Sequence, residues 1–225
     1  FKSLLSCISS FVIRLLYGKK NYNFQMKMKK IYKIIIGSNN QGKIKEIRDL
    51  LPKKIKVYTP KQLSIKSPKE SGKSFQENSL IKAKYFSKKS KITCISDDSG
   101  LAINILGGKP GIKSARWAGK NNDFKLAIKK IYKKINQKQI NFDNTKVKAR
   151  FICALTIYWK NNKYITSLGI INGRISKKQR GKYGFGYDPI FIPDGSKLTF
   201  SQMNPKKKYK LDHRAKAFKK IKKFF

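Results

Sequence analysis

Residues 31–51 deliver a strand, a polar turn and a helix in immediate succession. That order limits the chain to folds in which a strand hands its C-terminal end to a helix N-terminus. Residues 31–36 are a short, β-branched apolar run, the pattern of a buried strand. Gly37-Ser-Asn-Asn-Gln-Gly-Lys43 follows, and Ile44, Ile47, Leu50 and Leu51 then recur at helical spacing until Pro52 stops them. Residues 55–58 read as a second strand. Ser74-Phe-Gln-Glu77 is a capping box for a helix reaching about Lys89. Residues 92–96 and 101–106 read as two strands around a turn at Asp97-Asp98-Ser99-Gly100, and Gly107-Gly-Lys-Pro-Gly111 as a loop. Asn122-Asp123 caps a helix over about 123–137. Residues 149–159 and 164–171 pair as a hairpin around Lys160-Asn-Asn-Lys163. A last helix over about 211–224 aligns Leu211, Ala215, Phe218, Ile221 and Phe225. Strands alternating with helices, then a long hairpin, predict an α/β domain with a mixed central β-sheet flanked by helices.

The chain carries 54 Lys and Arg against 11 Asp and Glu, a formal charge of +43 over 225 residues. Such an excess points first to nucleic acid. Only seven of these residues are Arg, however, and Arg rather than Lys supplies the bidentate forks of specific readers. The lysines are spread evenly beside many Ile, Asn, Phe and Tyr, so a general compositional bias accounts for them better than a specific nucleic-acid partner. The longest apolar stretch, near residues 4–16, is broken by Ser6, Ser9, Ser10 and Arg14 and is too interrupted to span a membrane. Cys7, Cys94 and Cys153 have no C-x-x-C spacing; they read as free thiols in a reducing, cytoplasmic setting, which excludes a zinc or disulfide framework. Residues 1–27, ahead of Met28, read as a dispensable extension rather than a targeting segment, with the domain over 28–225.

Three patterns carry chemistry. Gly37 to Lys43 nearly matches G-x-x-x-x-G-K-[ST] at a helix N-terminus, where free amides and the helix dipole attract anions. Ile44 replaces the hydroxyl that holds Mg²⁺ in P-loop enzymes, so any metal must be held elsewhere; a plain strand-to-helix turn is the alternative. Asp97-Asp98 places two scarce acids side by side, which repel each other unless a cation or donors intervene. Mg²⁺ takes one or two such carboxylates, whereas an Asx turn is the alternative, and Glu70 and Glu77 are the acids that could join them. Gly181-Lys-Tyr-Gly-Phe185-Gly186-Tyr187-Asp188-Pro189 alternates glycine with aromatic faces, which suits stacking on a nucleobase or simply covering a core. Asp212-His213-Arg214 enters the last helix, where His213 is either structural or a donor.

S-N-N-Q-G-K, E-S-G-x-S-F-x-E-N-S-x-x-K-A, D-D-S-G-L, L-G-G-x-P-G-x-x-S-A-R, F-G-Y-D-P-x-F and D-H-R occur in that order. Together they closely resemble the inosine/xanthosine triphosphate pyrophosphatases over about residues 31–225. The resemblance implies a two-lobed inosine triphosphatase-like domain with its active site in the cleft. It also implies Mg²⁺-dependent hydrolysis of ITP, dITP and XTP to monophosphate and pyrophosphate, and a homodimer. It places Ser38, Asn39, Asn40, Gln41, Gly42, Lys43 and Lys82 on the triphosphate. Asp98 becomes the general base, Glu70 and Asp98 the metal ligands, and Ser99, Phe185, Gly186, Tyr187, Asp188, Lys208, His213 and Arg214 the nucleotide contacts. The related Maf-type pyrophosphatases are the nearer alternative, against which F-G-Y-D-P and D-H-R stand. A basic nucleic-acid-binding protein is the alternative from another class; its affinity would fall steeply with salt. The chain departs from the family pattern at the basic run before Lys208, at Asp212 in place of a small hydroxyl residue, and at Lys69 in place of a second acid.

Overall fold

Strand β1 (Lys33–Ile36) buries Ile34, Ile35 and Ile36 completely, because it lies between two partners. It pairs in parallel with β2 (Lys56–Tyr58) and with β3 (Cys94–Ile103). β4 (Lys148–Tyr158), β5 (Tyr164–Ile175) and β6 (Phe191–Pro193) follow antiparallel, giving the order β2-β1-β3-β4-β5-β6. This computed structural model describes residues 31–119, 121–138, 142 and 146–225. The extension expected over 1–27 lies outside the described residues, as does Cys7.

Helices cover both sheet faces. α1 (Gln41–Leu50) starts where the sequence pattern places it, with the Asn40 side chain accepting from the Lys43 amide. α2 (Phe75–Ser90) opens on the expected capping box: the Glu77 amide donates to Ser74 Oγ, and the Lys73 amide to Glu77 Oε2. Its Ala83 and Phe86 pack with Ile35, Cys94 and Tyr158. The short α3 (Ser114–Trp117) precedes α4 (Phe124–Asn136), which Asp123 caps. Ile128, Ile131 and Ile135 of α4 join Leu101, Ile103, Phe151 and Ile171 in the larger core. Cys94 and Cys153 are buried free thiols, as expected, and burial pushes both up in pKa. Among the described residues no helix is long and apolar enough to cross a membrane.

Two expectations are corrected. Residues 94–103 form one unbroken strand, paired with β4 from Cys94↔Tyr158 to Ile103↔Ala149, with no turn at Asp97-Asp98-Ser99-Gly100. Gly100 is there for space: a Cβ would lie 2.4 Å from both Gly111 O and Ser114 Oγ. That close approach lets Ser114 accept from the Leu101 amide and donate to Gly111 O. The C-terminal helix is also two helices, α5 (Pro205–Leu211) and α6 (His213–Ile221), broken at Asp212. The buried face is therefore Arg214, Ala217, Phe218 and Ile221 rather than one through Leu211 and Ala215. α6 rests on β5 at Gly169, where a Cβ would lie 1.9 Å from His213 O; only glycine lets the helix start sit this deep.

Asp212 is the N-cap of α6, accepting from the Ala215 amide at 2.7 Å. Burial, with Glu46 nearby, pushes its carboxyl up to about 6. A carboxyl raised above its unfolded value of about 3.9 stabilises the fold fully below that value and loses the contribution as pH rises through about 6. Asn caps as well as Asp without the charge. Asp212→Asn is therefore expected to be more stable than the parent at pH 7.5, by on the order of 1–3 kcal/mol. The difference should close towards pH 4.5. Thermal melts at the two pH values check it; an equal or lower melting temperature at pH 7.5 would contradict the argument.

Candidate active site

Six of the chain's eleven acids gather in one place: Glu46, Glu70, Asp97, Asp98, Asp188 and Asp212, around Lys43, Lys82, Lys208 and Arg214. In a chain so poor in carboxylates, this concentration marks the site more clearly than the surplus of lysine does.

β3 organises it. Adjacent strand residues point to opposite faces, and Asp97 and Asp98 do so. Asp97 faces α1 and α6. Its Oδ2 accepts from Arg214 at 3.0 Å and from Ser99 Oγ at 2.9 Å, and lies 3.3 Å from Lys43 Nζ. Burial alone would raise this carboxyl, but Lys43, Arg214 and Lys82 hold it well below the usual carboxylate range. Asp98 faces α2. Lys82 Nζ bridges it to Glu70, at 3.1 Å from Asp98 Oδ1 and 2.5 Å from Glu70 Oε1. Here burial outweighs Lys82 and Lys43, and the Asp98 carboxyl is raised. The two neighbours thus differ in electrostatics: cations hold the Asp97 carboxyl low, whereas burial raises that of Asp98.

On the α6 face a chain of buried charges continues. Arg214, only 1% exposed, donates through its other terminal nitrogen to Glu46 Oε2. Lys208 Nζ bonds Glu46 Oε1 at 2.7 Å and Asp188 Oδ2 at 2.6 Å and lies over the Phe185 ring at 5.2 Å. Lys206 and Lys207 are exposed whereas Lys208 is buried, so the basic run contributes its third lysine to the cluster. Sequence reasoning missed Glu46. Its signal was its place on α1, three residues after Lys43 and thus on the same helix face.

The loop residues meet this cluster from one side. Ser38 is buried, its Oγ accepting from the Asn40 amide; Asn39 reaches out to Ser67 Oγ; Gln41 is exposed. Asn40 caps the Lys43 amide, and the other first-turn amides of α1, at Gln41 and Gly42, have no intrahelical acceptor. Gly42 is packed under the Phe185 ring, where a Cβ would lie 2.4 Å from a ring carbon. A cavity of about 410 Å³ is lined by Gly42, Glu46, Phe185, Phe200, Met203 and Lys208 among others, which is within the range that small ligands use.

Two residues of the glycine-aromatic segment, Tyr187 and Asp188, have partners within the fold. Tyr187 offers no open face: it is 3% exposed, meets Phe124 edge-on, and donates to Ser114 O at 2.8 Å. The Asp188 carboxylate accepts from Lys208 and from the Phe185 amide, which shapes the loop. Gly186, with φ of +66°, allows the turn between Phe185 and Tyr187. His213 is stacked on Phe151 at 4.7 Å, and burial, then Arg214 and Lys208, lower its pKa so that the ring is neutral. Three buried polar atoms of the cluster have no hydrogen-bond partner: Asp97 Oδ1, His213 Nδ1 and Arg214 Nε.

Among the described residues no three His, Cys, Asp or Glu side chains converge as a metal cage. What exists is a pair of hard oxygen donors, Glu70 and Asp98, turned on one cation, Lys82 Nζ. Two carboxylates beside an anion site suit a cation that takes few protein ligands and completes its shell with water and phosphate.

Residues 34–224 match the Ham1 family. The chain is 40% identical over 190 residues to the dITP/XTP pyrophosphatase of Caulobacter vibrioides, covering 84% of this chain and 96% of that one. It is 37% identical over 191 residues to the Bacillus subtilis protein of the same name, covering 84% and 94%. The solved Ham1 protein of Staphylococcus aureus has a TM-score of 0.73 at 32% identity, over 85% of this chain and 97% of that one. A match that runs from β1 through α6 takes in every residue of the charged cluster, and the chain belongs to the Ham1 family.

Proposed function

We propose that this protein is a cytoplasmic, homodimeric pyrophosphatase that hydrolyses ITP, dITP and XTP to the monophosphate and pyrophosphate, clearing deaminated purines from the nucleotide pool. The observation that carries the reading is the unlike pair on β3: Asp97 tied to Arg214 and Lys43, and Asp98, with its raised carboxyl, beside Lys82 and Glu70. The relatives named dITP/XTP pyrophosphatase supply the substrate class.

In this reading the triphosphate lies on the loop from Ser38 to Lys43, with Lys43 and Lys82 offsetting its charge. Asp98 accepts a proton from the water that attacks the α-phosphorus, and the bond from that phosphorus to the bridging oxygen breaks as pyrophosphate leaves. No covalent intermediate is needed. Glu70 and Asp98 would hold Mg²⁺, which when bound neutralises phosphate oxygens and lowers the pKa of water. The 6-keto purine is placed beside Arg214 and His213, whose Nε and Nδ1 are buried without a partner. Its O6 accepts where the adenine amino group cannot. A buried donor left unpaired costs about 1–3 kcal/mol, or roughly one to two decades of discrimination against adenine.

Pyrophosphate release from ITP, XTP, GTP and ATP, with Mg²⁺ and with chelator, tests this directly. Release from ITP and XTP far above GTP and ATP, and lost in chelator, is expected. Equal slow release from all four would keep the reaction and discard the base selectivity. No release from any would discard the reaction.

A further inference from the structure

Residues 65–72 carry neither helix nor strand, yet they hold Glu70 against the α2 face of the site. Three side chains from other parts of the fold pin this strap. Asn39 Nδ2 donates to Ser67 Oγ at 2.9 Å, Arg116 donates to Glu70 O at 2.8 Å, and Asn78 Oδ1 accepts from the Gly72 amide at 2.8 Å. The first two bonds are exposed. Asn78 is fully buried, and the other end of its amide faces Asp98 Oδ2 at 3.4 Å.

Those neighbours fix how the amide is turned: its oxygen must meet the Gly72 N–H and its nitrogen the carboxylate. Both Asp98 oxygens are then held, Oδ1 by Lys82 and Oδ2 by Asn78. The strap has no slack at this point, since a Cβ on Gly72 would lie 2.7 Å from Glu77 Cβ and 2.8 Å from Asn78 Oδ1.

We infer that Asn78 is a positioning residue for hydrolysis: one side-chain amide ties the strap that carries Glu70 to the carboxylate of Asp98, and so sets the spacing and orientation of the two acids. The inference rests on the reading of Asp98 as the base. Few small side chains can do this, because the task needs an acceptor and a donor on the same planar group. Aspartate keeps the acceptor for Gly72 and the shape but loses the donor; alanine loses both.

The test compares the parent with Asn78→Ala and Asn78→Asp. Three quantities are read: kcat and KM for ITP at saturating Mg²⁺, Mn²⁺ affinity of the nucleotide-free protein by electron paramagnetic resonance, and amide exchange at Gly72. For Asn78→Ala, kcat and Mn²⁺ affinity are each expected to fall by about 10–100-fold, the usual cost of losing an outer-shell partner. KM should change little, and the Gly72 amide should exchange faster. Asn78→Asp should restore Gly72 protection without restoring kcat. Unchanged kcat and Mn²⁺ affinity in Asn78→Ala, with only a lower melting temperature, would overturn the inference. So would full turnover in Asn78→Asp. An inactive parent would instead count against the pyrophosphatase reading, and the exchange and Mn²⁺ measurements would still decide the role of Asn78.

Discussion

Asp98→Asn is expected to bind ITP nearly as the parent does and to turn it over about a thousandfold more slowly, within the span that a positioned general base contributes. The substitution keeps the volume and one oxygen, so the pairing of β3 with β4, Asp98 opposite Ala154, is undisturbed. What is lost is the ability to take a proton, one of the two proposed Mg²⁺ ligands and the acceptor for either Asn78 or Lys82; Glu70, at 2.5 Å, keeps Lys82 partnered. The parent carboxyl is raised by burial, so removing its charge relieves a desolvation cost, and the variant should fold. Substrate affinity, read by calorimetry, separates this outcome from a general defect, because the loop from Ser38 to Lys43 lies on another element and the Arg214 cluster meets the opposite face of β3. Asp97→Asn is the contrasting case. Asp97 holds Arg214, Ser99 and Lys43 together, so its loss should disturb binding as well as rate. Near-parental turnover in Asp98→Asn would refute the catalytic assignment.

Local rules made most of the frame legible in the sequence. The apolar run before Gly37, the Ser74–Glu77 capping box and the turn at Lys160-Asn-Asn-Lys163 each satisfy a short-range requirement, and each element formed there. What the sequence hid was decided by distant neighbours. Gly100 looked like a turn residue because glycine serves both for turns and for close approach; only the packing of Ser114 and Gly111 tells which. Once β3 runs straight, period-two alternation places Asp97 and Asp98 on opposite faces, and each takes its own direct partners, Arg214 and Lys43 for Asp97 and Lys82 for Asp98, while Lys43 and Lys82 act at longer range on both. Tyr187 belongs to the core because Ser114 O, 73 residues away, accepts its hydroxyl proton. Composition alone does not separate Lys208 from Lys206 and Lys207; the motif resemblance singles it out, and helix phase turns it inward to Glu46 and Asp188.

Glu46→Ala should be the most destabilising substitution in the cluster. Glu46 is 3% exposed and is the shared partner of Lys208 and Arg214. Its removal leaves two buried cations with one carboxylate each, Asp188 and Asp97. Breaking a buried ion pair by deleting one partner typically costs about 3–5 kcal/mol. For a domain of this size, that corresponds to a fall in melting temperature of roughly 6–20 °C. Because the cost is uncompensated charge rather than lost packing, it should be relieved from the other side. The double variant Glu46→Ala with Lys208→Met is expected to melt above Glu46→Ala alone, a positive coupling that independent sites do not show. The double variant should still lose nucleotide affinity, since Lys208 lines the cavity beside Phe185. Additive losses would mean that Glu46 acts through packing alone. A melting temperature within about 2 °C of the parent, less than 1 kcal/mol, would mean that Asp188 and Asp97 suffice for both cations.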